Sequence, residues 1–313
     1  MTMPIIRTVE EMRNTVARWR TIGGNVAIIP TMGALHKGHL SLVRAALGQA
    51  WWVMVTVFVN PKQFNSVEDL AAYPRTEEAD AAKLAPLGVD MLYVPGFEEM
   101  YPDGFATAVS VGGVSEGLCG THRPGHFDGV ATVATKLFLQ TGANIAVFGE
   151  KDFQQMHVVR QLVRDLDIPI EIFACPIIRE ADGLAMSSRN ALLSPNERRI
   201  APYLADVLSE TAMRLQRCSS SQDLIEAAKH DLLAAGFSRV EYLELRSEED
   251  LAPLDRPDRA ARLLAAAWLG KTRLIDNVAV PASSAEMNAA PKSSDESDHR
   301  RHQSFQGTRA RTP

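Results

Sequence analysis

The sequence predicts an α/β protein, a doubly wound parallel sheet followed by a smaller C-terminal α+β unit. Three observations predict it. Short apolar runs alternate with helical patterns from the start of the chain to about residue 180. Several of those runs are continuous rather than alternating, which suits strands buried on both faces of a parallel sheet. Beyond Ser194 the order changes to helices followed by three strands. Strands separated by helices imply a doubly wound sheet, in which ligands bind beyond the carboxyl ends of the strands.

Taken in order, VAIIP (26–30) reads as a strand and the stretch from Gly38 to about Gln49 as a helix. WWVMVTVFVN (51–60) is rich in β-branched and aromatic residues and meets no charge until Lys62, so it reads as a second strand. EEADAAKLAPLG gives a helix, MLYVP a strand, and a loop-rich section runs to about Arg123. GHFDGVATVATKLFLQTG is a helix closed by Gly142, IAVFG a strand, FQQMHVVRQLVRDL a helix and IPIEIFACPII a further strand. Ser194-Pro195-Asn196-Glu197 combines an N-cap serine, a proline at the first helical position and a glutamate three residues on, a capping box. Helices are predicted over about 196–217 and 221–235, the second closed by Gly236, and strands at 239–246, 261–270 and 272–280.

A chain of 313 residues exceeds what one hydrophobic core usually absorbs. The pattern divides it into a first domain (1–183), a smaller lid-like α+β domain (184–281) and a tail (282–313). The tail is rich in Ser, Ala, Asp, Arg and His with one aromatic, Phe305, and is expected to be disordered. Hydrophobic residues at 46% and charged residues at 23% are ordinary for a soluble globular chain. The net charge of −5 gives no general attraction to nucleic acid or to an anionic membrane, so a phosphate site must be a local arrangement of cations and amides. Cys119, Cys175 and Cys218 show no metal spacing, as expected of ordinary thiols in a reducing cytosol. The N-terminus lacks an apolar stretch of signal-peptide length, and the run from Trp51 to Val59 is too short to span a bilayer. A cytoplasmic protein with neither a nucleic-acid nor a membrane partner is expected.

Four segments carry candidate chemistry. Pro30-Thr31-Met32-Gly33-Ala34-Leu35-His36-Lys37-Gly38-His39 sits where a strand turns into a helix. Its glycines permit a tight turn, and the first helical turn offers unpaired amides to phosphate. His36 and His39, three residues apart, face the same way on such a turn and can donate to oxygens that gain charge as pyrophosphate leaves. One such donor in a dry site is worth roughly 3 kcal/mol. The pattern alone equally fits a helix start with two surface histidines, and a metal pair lacks a third ligand nearby. In Phe58-Val59-Asn60-Pro61-Lys62-Gln63-Phe64, Asn60 and Gln63 can hold a small polar substrate or simply build a turn around Pro61. Asp69, Tyr73, Arg75 and Asp80 follow, where one aspartate can hold Mg2+ through water and a solvated loop explains the rest.

Phe148-Gly149-Glu150-Lys151-Asp152-Phe153-Gln154-Gln155 places Lys151 at a helix entry, suited to phosphate oxygens, with Asp152 suited to a ribose hydroxyl, a metal-bound water or an N-cap. Met186-Ser187-Ser188-Arg189-Asn190 puts two hydroxyls and a guanidinium in sequence, a triphosphate clamp or a polar linker. His122-Arg123-Pro124-Gly125-His126-Phe127-Asp128 has the residue types of a metal site, but a cap and turn ahead of the helix beginning near Gly129 is the plainer reading. No serine or cysteine stands in a nucleophile–base–acid arrangement. The inventory suits displacement at phosphorus, where positioning and charge stabilisation dominate.

With RPGHFDGVATVATKLF, READGLAMSSRN and AAAWLGKTRLIDN, these segments resemble the pantothenate synthetase (pantoate–β-alanine ligase) family, within the nucleotidylyltransferase superfamily that carries the HIGH-type signature. The resemblance runs in family order over about residues 1–281. It implies a Rossmann-like domain in which ATP and (R)-pantoate form pantoyl adenylate and pyrophosphate, after which β-alanine attacks to give pantothenate and AMP. It implies ATP contacts at Met32, Gly33, Ala34, Leu35, His36, Lys37, Gly38 and His39, with His39 in the proton-donor role and His36 assisting on the phosphates. Gly149, Glu150, Lys151, Asp152, Ile178, Met186, Ser187, Ser188 and Arg189 complete that site, with Lys151 counted as catalytic beside the histidines. Gln63 and Gln155 match pantoate-binding glutamines, Gln63 also facing β-alanine. Asp80 falls at a metal-associated aspartate, with Mg2+ the metal implied, although Ala79 interrupts the acidic run. Ala134 stands where some relatives carry a larger aliphatic residue beside pantoate. A cytoplasmic homodimer is implied as well. Two other readings remain: a nucleotidylyltransferase that stops at the adenylate, and a non-catalytic nucleotide-binding module. AMP release that depends on β-alanine separates the first, and intact His36, His39, Lys151 and Arg189 argue against the second.

Overall fold

The computed structural model describes residues 3–216 and 220–282, so Cys218 and the expected disorder of the tail beyond residue 282 lie outside the described residues. The chain enters through β1 (Ile5–Ile6) and α1 (Val9–Ile22), then β2 (Val26–Thr31), α2 (Lys37–Gln49) and β3 (Trp52–Val57). Short helices α3 (Val67–Ala72) and α4 (Glu77–Leu84) lead to β4 (Met91–Tyr93). α5 (Phe97–Met100) and α6 (Leu118–His122) lie in the long connection to α7 (His126–Thr141), and β5 (Ile145–Gly149), α8 (Phe153–Asp165) and β6 (Glu171–Cys175) complete the first sheet. Its six strands run in the order β1-β4-β3-β2-β5-β6, all parallel.

That order bears out the expected doubly wound sheet and locates its crevice. From β2 the chain adds β3 and β4 on one side, then returns to add β5 and β6 on the other. The carboxyl ends of β2 and β5 therefore flank the topological switch point. Val26, Ala27, Ile28 and Ile29 of β2 are wholly buried, as expected of a central strand covered on both faces. α2 packs one of those faces through Leu42, Val43 and Ala46, and α7 lies against the other through Leu137 and Phe138.

β1 and α1 are additions to the elements read from the sequence. Two residues of β1 carry no periodicity, whereas Met12, Val16 and Trp19 bury one stripe of α1, and Thr8 caps it by accepting from the Glu11 amide. β3 is shorter than its apolar run, because Phe58 to Asn60 leave the sheet and turn toward the crevice.

The remainder comprises α9 (Pro195–Ile200), α10 (Tyr203–Leu215), α11 (Gln222–Ala235) and the antiparallel sheet β7 (Arg239–Ser247), β8 (Ala261–Leu269) and β9 (Thr272–Val280). The Ser194 capping box forms, with Ser194 accepting from the Glu197 amide and Glu197 returning to the Ser194 amide. The single helix expected over 196–217 is instead two, broken at Ala201-Pro202. Pro202 has no amide to continue the ladder and its ring crowds the preceding turn. Helices α10 and α11 cover one face of the small sheet through Leu208, Leu215 and Leu232, while Tyr242, Leu264 and Ala266 of the other face join the core of the first sheet.

Candidate active site

Beyond β2 the backbone turns through left-handed conformations at Gly33 (φ +83°) and Ala34 (φ +50°). For alanine this costs on the order of 1–2 kcal/mol. Asp80 of α4 offsets it: its buried carboxylate accepts from the Ala34 and Leu35 amides, both at 2.8 Å, and from the Thr76 hydroxyl at 3.0 Å. Lys83 stands 3.4 Å away and donates to the Leu35 carbonyl at 2.7 Å. Asp80 was expected beside a metal. Its geometry corrects that expectation, since both oxygens are engaged with protein donors in a site closed to solvent.

The two histidines are organised by the backbone. His36 is the N-cap of α2 and folds its ring back so that Nδ1 accepts from the Gly38 amide at 3.2 Å. His39 reaches back so that its Nδ1 accepts from the His36 amide at 3.4 Å. A side chain at Gly38 would meet the His36 ring at 2.9 Å, so glycine is what allows this fold-back. With Nδ1 accepting in each ring, the neutral imidazole carries its proton on Nε2. Burial, then the positive charges of His39 and Lys151, lower the His36 pKa to about 3. Burial likewise lowers His39 to about 4, against the opposing pull of Asp152. Ring centroids 4.1 Å apart leave no room for two cations. At neutral pH both rings are uncharged hydrogen-bond donors.

Gln63 is held on two sides. Its backbone carbonyl accepts from Arg123 Nη2 at 3.1 Å and from His126 Nδ1 at 2.8 Å. His126, buried and lowered to about 3 chiefly by burial, then turns Nε2 to the Arg123 guanidinium at 3.1 Å. The side-chain oxygen of Gln63 accepts from Asn60 at 3.0 Å, and Asn60 is itself fixed by the Gly129 carbonyl and the Tyr101 hydroxyl. The Gln63 amide nitrogen is thereby left to face Met32 and the crevice. α7 approaches so closely that a side chain at Gly129 would lie 2.2 Å from the Lys62 carbonyl oxygen.

Across the crevice, β5 ends in a 3₁₀ turn over Glu150–Asp152 that presents Lys151 and Asp152. The chain after β6 makes a small hairpin, bridged at Arg179 and Ala185, that delivers Met186-Ser187-Ser188-Arg189. Arg189 pairs with Asp69 of α3 at 3.2 Å, and the Ser188 hydroxyl lies 3.4 Å from that of Tyr73.

These groups border one cavity of about 220 Å³. Met32, His36, Gly38, His39, Gly149, Lys151, Asp152, Ile178, Met186, Ser187, Ser188 and Arg189 reach it, as do Gln63 and Gln155. Five residues expected at the nucleotide do not border it. Leu35 is buried in the core against α2, Lys37 is exposed, and Glu150 turns away to Arg262 at 3.3 Å. Gly33 and Ala34 shape the turn, their amides engaged by Thr31 and Asp80. Ala134, expected beside pantoate, does border the cavity; the rest of the apolar wall, Val130, Val133 and Leu137 on the same stripe of α7, went unread in the sequence. Their helical spacing was legible, but the same spacing serves ordinary core packing. Unread too was the anchoring of Gln63 by Arg123 and His126, a contact between segments 60 residues apart.

The fold and cavity define an α/β protein in which hydrogen-bond donors and cations at the switch point face an apolar wall, an arrangement suited to an enzyme that binds a nucleotide beside a small molecule. A family model described as pantoate-beta-alanine ligase matches residues 4–279. The chain belongs to the pantoate–β-alanine ligase family. A pantothenate synthetase from Chelativorans sp. is 65% identical over 280 residues, covering 90% of this chain and 99% of that one. One from Roseobacter denitrificans is 56% identical over 281 residues, covering 90% and 99%. Among solved structures, the Thermus thermophilus pantothenate synthetase superposes with a TM-score of 0.84 at 44% identity, over 89% of this chain and all of that one. The Francisella tularensis pantoate-beta-alanine ligase, solved as a complex with beta-gamma ATP and beta-alanine, gives 0.76 at 32%, over 88% and 97%.

Proposed function

We propose that ATP lies with its phosphates between the His36–His39 pair and the Lys151, Ser187, Ser188 and Arg189 side, and that pantoate lies against the α7 wall, held by Gln63 and Gln155. The chain's reaction is the ATP-dependent ligation of pantoate with β-alanine through pantoyl adenylate, releasing pyrophosphate and AMP. The observation that carries the placement is a single cavity joining both kinds of group. The ATP-type ligand and β-alanine bound to the Francisella tularensis relative support it.

The pantoate carboxylate attacks the α-phosphorus as its bond to the bridging oxygen of pyrophosphate breaks. The Nε2–H groups of His36 and His39 donate to the departing oxygens, and Lys151 and Arg189 neutralise their charge. Arg189 exchanges Asp69 for phosphate as it does so. The amine of β-alanine then attacks the acyl carbon, the acyl–phosphate bond breaks and AMP leaves. Gln63 presents an N–H and so suits an oxygen of pantoate. Asp152 is the carboxylate bordering the cavity. It is the residue that would hold an Mg2+ arriving with ATP, and the ion would supply charge neutralisation at the phosphates.

The boundary near residue 183, with 184–281 as a lid, is supported by the separate core that Leu184 shares with α10, α11 and the small sheet. A cytoplasmic homodimer rests on the family resemblance; no helix among the described residues is long and apolar enough to cross a membrane. Light scattering at twice the chain mass tests the dimer. The test of function is product analysis with ATP, pantoate and β-alanine, each omitted in turn. Pantothenate and AMP form only with all three, while pantoate alone supports ATP–pyrophosphate exchange. AMP release indifferent to β-alanine would overturn the ligase assignment.

A further inference from the structure

AAAWLGKTRLIDN, the last segment that stood out in the sequence, contributes nothing to the cavity wall, yet two of its residues reach toward it. Asn277 of β9 is buried and crosses from the small sheet to the turn after β5, where its amide nitrogen donates to the Glu150 carbonyl at 2.9 Å and the Lys151 carbonyl at 3.1 Å. Its orientation is unambiguous. The two carbonyls can only accept, and the Arg262 guanidinium, 2.8 Å from the Asn277 side-chain oxygen, can only donate. Arg262 is itself buried, stacked on Phe153 at 4.0 Å and paired with Glu150 and with Glu248 at 2.6 Å. Next to it, Asp276 holds Arg179 in a bidentate pair at 2.6 and 2.9 Å. Arg179 also donates to the Gly183 carbonyl at 3.0 Å, and the Ile178 carbonyl accepts from the Met186 amide at 2.9 Å. These bonds close the hairpin that delivers Ser187, Ser188 and Arg189.

We propose that Asp276-Asn277 is the positioning element of the phosphate clamp. Asn277 sets the backbone that carries Lys151, and Asp276 sets the hairpin that carries Arg189, so one strand of the small sheet places both halves. Neither residue touches the reacting atoms. The proposal rests on Lys151 and Arg189 acting at the phosphates, as assigned above.

The test is a set of double-mutant cycles read by pantoate-dependent ATP–pyrophosphate exchange. Asn277→Asp keeps the volume and the Arg262 contact but turns a carboxylate oxygen toward two carbonyl oxygens. Its kcat is expected to fall about ten- to a hundred-fold, with the KM for pantoate and the circular dichroism unchanged. In a Lys151→Ala background the same substitution is expected to cost less than about twofold, because the group it positions is gone. An equal fall in both backgrounds, an unchanged kcat, or a loss confined to the KM for pantoate overturns the proposal. Should Asn277→Asp fail to fold, Asp276→Asn combined with Arg189→Ala decides by the same non-additivity. Normal exchange in Lys151→Ala and Arg189→Ala themselves would instead remove the clamp reading.

Discussion

The proton on each of His36 and His39 is assigned by what the other ring nitrogen already holds. Backbone amides occupy Nδ1, so Nε2–H is what the crevice receives. We expect His39→Ala to fold normally but to lower the adenylation rate by two or more orders of magnitude, measured as pantoate-dependent pyrophosphate exchange. Near-normal turnover would take His39 out of this role. Because burial depresses both rings to about 3 and 4, their ring signals in nitrogen-resolved NMR of the free chain should stay in the Nε2–H form between pH 8 and 5. Titration midpoints near the ordinary 6.5 would contradict the assignment. The pairing itself was legible as H-x-G-H. Its neutral state was not, because burial and the approach of Lys151 from 112 residues away are properties of the folded chain.

Elements act here by holding turns that would not hold themselves. The turn after β2 depends on α4, whose Asp80 accepts two buried amides. Asp80→Ala strands those donors, each at about 1–3 kcal/mol, so the urea midpoint should drop by an amount equivalent to roughly 2–4 kcal/mol. In Asp80→Asn, the Mg2+ concentration giving half-maximal rate should not move; a large shift would restore a metal role. The turn after β3 depends on α7 approaching at Gly129. Gly129→Ala must push α7 and Lys62 apart, so we expect a raised KM for pantoate together with a lower melting temperature. A raised KM for ATP alone would contradict the placement of Gln63. Helix and strand types were readable from periodicity and caps, including the Ala-rich β8, which β-branched and aromatic content alone would not favour. Pro202 was the visible signal for the break between α9 and α10, and local pattern on either side concealed it.

Across the described residues, four histidines are pushed down mainly by burial: His36, His39, His126 and His157, the last to about 4. Each folded pKa lies below the unfolded value near 6.5, so the unfolded chain binds more protons between those limits. The stability these groups contribute is therefore complete above about pH 6.5 and is lost as pH falls toward 4 and 3. His126 and His157, which have little exposed surface, contribute at most about 1.4 kcal/mol per pH unit each, and His36 and His39, open in part to the crevice, less. The urea midpoint should fall steadily from pH 7 to pH 5, with proton uptake on unfolding. A flat midpoint over that range would contradict the buried, neutral assignment.

Local chemistry determined much by itself. Continuous apolar runs defined buried parallel strands, a serine–proline–glutamate box started a helix, and H-x-G-H, Gly-Glu-Lys-Asp and Ser-Ser-Arg marked strand ends suited to phosphate. Those features depend on neighbours within a few residues, so the sequence expresses them directly. Tertiary structure decided what each group is for. Asp80 became a clamp on amides because α4 buries it, Glu150 turned to Arg262 rather than to the nucleotide, and Asn277 reached Lys151 from a different sheet. Such roles arise from burial and from contacts across tens to more than a hundred residues, where desolvation and partner geometry, not residue type, set the outcome.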